Sequence, residues 1–349
     1  MKNLVDNILK MDIDEIPTFD FPENKLFGLE IIKNDVKYEF LIRFSDKNDK
    51  LIGFGGSGRI DRKKHNLPFF QRHSWQNQFE ESVIYFADPT FYIDSKLAAG
   101  WFMGTEDDWY LKTICEIIKK IVENRNIKYE NILFYGTSSS GFAAVMLATM
   151  IKDSTALVGN FNYDIFKTHF QRLIDNLKEI CFNGLDEDTI IKKYGYRVNI
   201  VELFKKMDYI PPIIYHVNVN SDVDLIDQCL PFIRSLSETN INSSENDIEV
   251  IICHDDNGHR SRVSFIEAYP LIKLILDRKL YKYYNSAMMQ PITHQQLNNC
   301  VNNNKNLKKK IKQQEKVMKK SNIKNSSFTD KLSKNIMKFI KKIVNKVKK

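Results

Sequence analysis

The stretch that decides the fold reads Asn131-Ile132-Leu133-Phe134-Tyr135-Gly136-Thr137-Ser138-Ser139-Ser140-Gly141-Phe142, continuing Ala143-Ala144-Val145-Met146-Leu147-Ala148. Its first five residues read as a buried strand, Gly136 to Gly141 as a tight turn, and the remainder as the start of a helix. A turn of this kind lifts a serine hydroxyl to the C-terminal edge of a sheet. Small residues flank the serine because a strained turn and close strand–helix packing leave little room for side chains. The pattern approaches G-x-S-x-G with Ser138 at its centre, and Ser140 stands where the last glycine is usual. A second register makes Ser139 the nucleophile, with Gly141 closing the motif and Thr137 at its opening position. The same residues also suit a plain strand-to-helix turn that binds an anion at the helix N-terminus without chemistry.

Short apolar runs lie on both sides of this turn. Residues 26–32, 38–44 and 51–54 read as strands separated by turn residues, the first two with the alternation of half-buried antiparallel strands. Further runs fall at 83–86, 156–159, 212–217 and 248–253, and helical spacing appears at about 108–124, 139–152, 163–177, 222–238 and 262–279. Strands alternating with helices predict an α/β fold, a doubly wound and mostly parallel sheet with helices on both faces. Residues 1–25 read as an N-terminal extension and 26–284 as the domain. Residues 178–207 read as helices between core strands, either a substrate-covering cap or an ordinary connection.

A serine hydroxyl is a poor nucleophile until a base takes its proton, so a histidine and a group to orient it are needed. Of the seven histidines, His259 follows the last strand and precedes the last core helix, where such a fold places its base. His254 sits nearby at the strand end and reads as a packed or supporting residue. The acid is expected between serine and histidine, on the loop after the penultimate strand. Asp222 falls there, with Asp224 two residues on, and one of the two is expected to N-cap the following helix. Ser138, Asp222 and His259 therefore form the candidate triad of an α/β-hydrolase-type enzyme.

Acyl transfer also needs donors for a developing oxyanion. The backbone N–H of Ser139 is one candidate, and Gly55 and Gly56, in the glycine-rich run after the strand at 51–54, are the others. The same run also reads as a flexible turn. Arg72, His73 and Trp75, within Leu67-Pro68-Phe69-Phe70-Gln71-Arg72-His73-Ser74-Trp75, are candidate glycan-binding residues, since aromatic faces beside an arginine suit a sugar or a phosphate-bearing sugar chain. The competing reading is that these aromatics lock a loop onto the core. The segment from Trp101 to Trp109 carries the same ambiguity.

Charge is unevenly distributed. Residues 301–349 carry 17 Lys against Glu315 and Asp330, so a tail of net +15 hangs on a body of net −7 within a chain of +8. The five cysteines are scattered without a C-x-x-C pair, which argues against a zinc site or a disulfide framework and for a reducing compartment. No metal or other cofactor is expected. The N-terminus lacks the apolar core of a secretory signal, and no run reaches the ~18 apolar residues of a membrane span, so the body is expected in the cytoplasm. Residues 285–327 read as an Asn/Lys-rich linker. Residues 328–349 place Leu332, Ile336, Phe339, Ile340, Ile343 and Val347 at helical spacing among lysines, a basic helical C-terminal tail suited to the anionic inner face of the cell membrane. Nucleic acid is the disfavoured polyanion, since the tail has no arginine. Asn, Lys and Ile abound throughout, so the bias also fits genomic composition.

Phe134-Tyr135-Gly136-Thr137-Ser138-Ser139-Ser140-Gly141-Phe142, preceded by Pro68-Phe69-Phe70-Gln71-Arg72-His73-Ser74-Trp75 and Phe86-Ala87-Asp88-Pro89, resembles the α/β-hydrolase-like proteins of bacterial capsule and surface-polysaccharide gene clusters. These are related to the glycan acetyltransferase subunit of the accessory Sec system. The resemblance covers roughly residues 26–280. It implies a Ser-Asp-His enzyme, or a degenerate relative, acting on a surface glycan during assembly, with Ser138, Asp222 and His259 at the matching positions. Two functions follow as expectations. One is a serine esterase or O-acyltransferase acting on a glycan or its lipid-linked precursor, with an acyl donor. The other is a catalytically silent scaffold of a membrane-associated capsule assembly complex.

Overall fold

The computed structural model describes residues 1, 3–62, 64–241, 248–261 and 264–277, which belong to one compact unit, Met1–Leu280. Among them are nine strands: β1 (Ile8–Met11), β2 (Phe27–Lys33), β3 (Val36–Arg43), β4 (Leu51–Gly56), β5 (Ser82–Ala87), β6 (Ile132–Thr137), β7 (Thr155–Gly159), β8 (Ile213–Asn218) and β9 (Ile248–Cys253). They form a single sheet in the order β1-β2-β3-β5-β4-β6-β7-β8-β9. β2 pairs antiparallel with β3 and β3 with β5, whereas every pairing from β5 through β9 is parallel. The expected strands are all present within a residue or two at their ends. Residues 1–25 differ from the expected extension. They add β1 as a parallel edge strand on β2 and bury Ile16 and Phe21 in the core.

The helices are α1 (Tyr110–Asn124), α2 (Ser139–Met150), α3 (Gln171–Cys181), α4 (Glu187–Val198), α5 (Ile200–Met207), α6 (Leu230–Ser237) and α7 (Phe265–Leu276). α1 buries Leu111, Ile114, Ile117, Ile118 and Ile121, a stripe at helical spacing that faces the sheet. α2 is buried on every side, because its alanines and Gly141 let it sit directly over the middle of the sheet. On that face Ile132 and Phe134 of β6 meet the α1/α2 layer, while Leu133 and Tyr135 point to the opposite face, where Ala268, Ile272 and Leu276 of α7 cover them. Adjacent strand residues alternate faces, so one strand feeds both cores. The 178–207 stretch is helical through α4 and α5, and Val201, Leu203 and Phe204 of α5 are buried in the core.

Strand order sets the position of the site. From β4 the chain runs to β5 on one side, then returns to β6 on the other, so the sequence order reverses between β4 and β6. A crevice opens at such a reversal, beyond the carboxyl ends of the parallel strands. The residues following β4, β6, β7, β8 and β9 all emerge at this edge, since Gly159 lies between Thr137 and His216 and Asn218 faces Cys253. The expected linker 285–327 and basic helix 328–349 lie outside the described residues.

Candidate active site

Ser138 follows the last residue of β6 and precedes the first of α2 with φ 55° and ψ −131°, a backbone region that residues with side chains rarely occupy. Holding a residue there costs on the order of 1–3 kcal/mol and persists only where surrounding contacts over-determine it. The contacts are present. The Ser138 N–H is shared between the carbonyls of Gly159 and Asn160, each at 3.2 Å, and its own carbonyl accepts from Phe142 N–H at 3.1 Å. Gly136 makes the turn sterically feasible, because a Cβ there would lie 2.2 Å from the Ser140 carbonyl oxygen. Ser139, the alternative nucleophile, is 2 % exposed, and its hydroxyl donates to the Ser57 carbonyl. Ser138 is the serine at the strained position.

His259 lies in a short helical turn, Gly258–Arg260, on the loop after β9. Its Nδ1 is 2.9 and 2.8 Å from the two carboxylate oxygens of Asp224. The side chain of Asp224 is 1 % exposed and that of the histidine 47 %, so a buried acid holds a ring that reaches solvent. The structure thus brings Asp224, not Asp222, to His259. Asp222 sits at the N-cap of a π-helical turn, Val223–Cys229, with helical φ/ψ, no capping side-chain bond and an exposed side chain. Two residues further on, Asp224 points inward, and Ser221 Oγ donates to its Oδ2 at 2.5 Å. Gln228, wholly buried in the same turn, accepts from the N–H groups of Tyr163 and Asp164, which fixes the turn against the body. His254 is exposed at the end of β9.

A carboxylate only accepts hydrogen bonds, so the proton between Asp224 and His259 belongs to Nδ1. The neutral ring then has a free lone pair on Nε2, the state required of a general base.

Gly55 and Gly56 are strand residues rather than part of a loop. Both lie inside β4, opposite Phe86 and Ala87 of β5. A Cβ on Gly56 would lie 2.1 Å from the Phe69 carbonyl oxygen, so this glycine serves the close passage of the residues 67–72 segment. The loop beside Ser138 begins one residue later, at Ser57. Ser57 is buried, donates through Oγ to Asp88 Oδ2 at 2.6 Å, and takes the Ser139 hydroxyl on its carbonyl. Asp88 also accepts from Phe102 N–H at 2.8 Å and Thr90 N–H at 2.9 Å. Burial pushes its carboxyl pKa up, and these hydrogen bonds pull against that rise. The Ser139 N–H, in the first turn of α2, is one of the helix donors without an intrahelical acceptor.

Arg72 is bonded to the residue that precedes Ser138. Arg72 Nη2 donates to Thr137 Oγ1, on the residue before Ser138, at 2.9 Å, and Nη1 to Gln71 Oε1 at 3.0 Å. Its guanidinium lies over the rings of Tyr135 and Trp75, and burial lowers its pKa from the ordinary value. Trp75 packs edge-on against Phe54 and Phe265, which is the loop-locking role. His73 Nδ1 is bonded to the Phe70 carbonyl at 2.9 Å. Ser140, the departure from the glycine pattern, donates to Gln71 Oε1 at 2.7 Å and so ties the Arg72 segment to the turn. Trp101 is buried and its Nε1 donates to Asn162 Oδ1 at 3.4 Å.

Neither protein-family models nor curated proteins match this sequence. Solved structures do. The capsule O-acetyltransferase of Neisseria meningitidis serogroup A is 15 % identical, covers 70 % of this chain and 93 % of its own, and superposes with a TM-score of 0.53. A histidine-to-alanine mutant of that protein in complex with CoA gives 0.51 at 15 % identity, over 70 % of this chain and 94 % of that one. A fluorophosphonate-binding serine hydrolase of Staphylococcus aureus is 13 % identical over 72 % of this chain and 98 % of its own, with a TM-score of 0.47. The fold is that of an α/β-hydrolase. In this chain Ser138 follows β6, the segments carrying Asp224 and His259 follow β8 and β9, and Ser57 follows β4. The expected similarity to hydrolase-like proteins of capsule biosynthesis is met at the level of fold.

Proposed function

We propose that this protein is a serine-dependent esterase or O-acyltransferase acting on a surface glycan, with Ser138 as nucleophile, His259 as base and Asp224 as the acid that orients it. The observation that carries the reading is the buried Asp224 carboxylate on His259 Nδ1, at the same sheet edge as a serine held at positive φ. Catalysis begins when Nε2 of His259 takes the Ser138 hydroxyl proton as Oγ attacks an acyl carbonyl. Ser139 N–H and an N–H from the loop starting at Ser57 then receive the oxyanion. The imidazolium returns its proton to the leaving group, and water or a glycan hydroxyl, deprotonated by the same nitrogen, releases the acyl group from Ser138.

The glycan assignment rests on similarity to a capsule O-acetyltransferase of the same fold, and Arg72 beside Thr137 supports a polar or charged substrate. The CoA complex of that neighbour supports an acyl thioester as donor. Attachment of residues 328–349 to the inner membrane surface would put the site where lipid-linked glycans are built.

A fluorophosphonate probe tests the mechanism. It labels the wild-type chain and not Ser138→Ala. Absence of labelling in a folded wild type overturns the enzyme reading and leaves the scaffold.

A further inference from the structure

Beyond the triad, one residue touches both halves of the site, the serine turn through its backbone and the histidine loop through its side chain. Asn160 follows β7, is 1 % exposed and has φ 40°, a conformation that asparagine tolerates better than most residues. Its backbone carbonyl accepts the Ser138 N–H at 3.2 Å. Its Nδ2 lies 3.0 Å from the His259 carbonyl, 3.2 Å from that of Gly258 and 3.2 Å from Ser261 Oγ. Its Oδ1 accepts from Asn218 N–H at 2.9 Å. Asn218, wholly buried at the end of β8, continues the set. Its Nδ2 donates to the carbonyls of Asp255 and Gly258 at 2.9 and 3.0 Å, and its Oδ1 accepts from Asp255 N–H at 3.2 Å.

We infer that Asn160 is a positioning residue that couples the serine turn to the backbone carrying His259. The inference rests on His259 being the base. The parallel ladder ends at Gly159 and Asn218, so the 254–261 loop crosses the sheet edge where no strand backbone remains to pair with it. Two buried amides supply donors and acceptors in place of that strand. Asp224 holds the ring at Nδ1, and Asn160 holds the main chain from which the ring hangs. With both ends fixed, the direction of Nε2 relative to Ser138 is fixed as well. A smaller residue would keep the fold yet leave the histidine backbone free to drift, and a displacement of 1 Å at a reacting group costs on the order of 10²-fold in rate.

The test uses the full-length protein, 4-nitrophenyl acetate as substrate and Asn160→Gly, which removes the amide while permitting the positive φ. The expected result is a kcat lower by about 30- to 100-fold with KM within about twofold. Hydrogen exchange is expected to rise in residues 254–261 and to stay unchanged elsewhere in the sheet. If the glycine variant fails to fold, Asn160→Ser takes its place, since its shorter side chain carries no amide to reach the histidine loop and adds no buried charge. An unchanged kcat, or a loss matched by general loosening of the sheet, overturns the inference. A wild type inert to both ester and fluorophosphonate removes the proposed activity instead. Exchange in 254–261 then decides the coupling alone, and no selective increase refutes it.

Discussion

Replacing Asp224 by asparagine separates the two candidate acids most sharply. The substitution keeps the shape of a side chain that is 1 % exposed, removes its charge and exchanges one acceptor oxygen for an NH2 donor. In the transition state His259 becomes an imidazolium beside that carboxylate, with Nδ1 2.8 Å from the nearer oxygen. With charge centres about 4 Å apart and an effective dielectric of about 20, their attraction is about 4 kcal/mol, or about 10³-fold in rate. The ring is 47 % exposed, so water screens part of this, and about 10²-fold is the floor. A second effect adds to the loss. The Ser221 hydroxyl already occupies one carboxylate oxygen, and an asparagine that turns its oxygen toward Ser221 presents N–H to Nδ1. The proton then moves to Nε2, and the base is lost. Asp224→Asn should therefore lower kcat for 4-nitrophenyl acetate and the rate of fluorophosphonate labelling by 10²- to 10³-fold or more. Asp222→Asn, at an exposed N-cap with no side-chain bond, should stay within about twofold of wild type in both assays. Retention of more than a tenth of the activity by Asp224→Asn, or an equal loss in Asp222→Asn, would refute this geometry.

Two further outcomes follow from the surroundings of Ser138 and one from the basic tail. Ser140→Gly restores the usual motif but releases Gln71, so labelling persists while thermal or urea denaturation shows a loss of about 1 kcal/mol. Asp88, whose pKa burial raises, holds its proton more tightly in the folded than in the unfolded chain. Its contribution to stability is therefore greatest in acid and is lost as pH rises from the ordinary carboxylate range through the raised folded value. Urea midpoints measured against pH should show this slope in wild type and a flatter one in Asp88→Asn. Deleting residues 328–349 should abolish flotation with anionic lipid vesicles, and added salt should weaken flotation of the intact chain; flotation unaffected by either change speaks against an electrostatic anchor.

Much of the architecture was legible because it depends on local pattern. The β6 turn, the apolar runs and their helical spacers specify a parallel sheet, since each element's periodicity and length point to the same layer arrangement. β1 escaped notice because Ile8–Met11 is four residues long and lies on a sheet edge, where burial imposes little pattern. Gly55 and Gly56 looked like loop residues because glycine weakens a strand reading. Their reason lies in the chain opposite, the Phe69 carbonyl, which no local pattern contains. Asp88 stood in a quoted motif, yet its role depends on Ser57 and Phe102, 31 and 14 residues away.

The placement of Asp224 rather than Asp222 against His259 has a similar physical origin. Sequence position locates the loop after β8, and an aspartate at a strand-to-helix junction is as good a cap as it is a partner for histidine. The deciding fact is the direction each side chain faces, and that depends on how the following turn winds. An α-helix would advance each residue by about 100°, whereas the turn from Val223 to Cys229 is π-helical, with wider winding and a different phase. Phase is set by tertiary contacts, among them Gln228 bonded to the Tyr163 and Asp164 backbone. Changing Gln228 should therefore act on the acid at a distance. Gln228→Ala leaves two buried N–H groups unsatisfied and frees the turn, so it should reduce fluorophosphonate labelling, whereas Asp222→Asn on the turn's exposed rim should not.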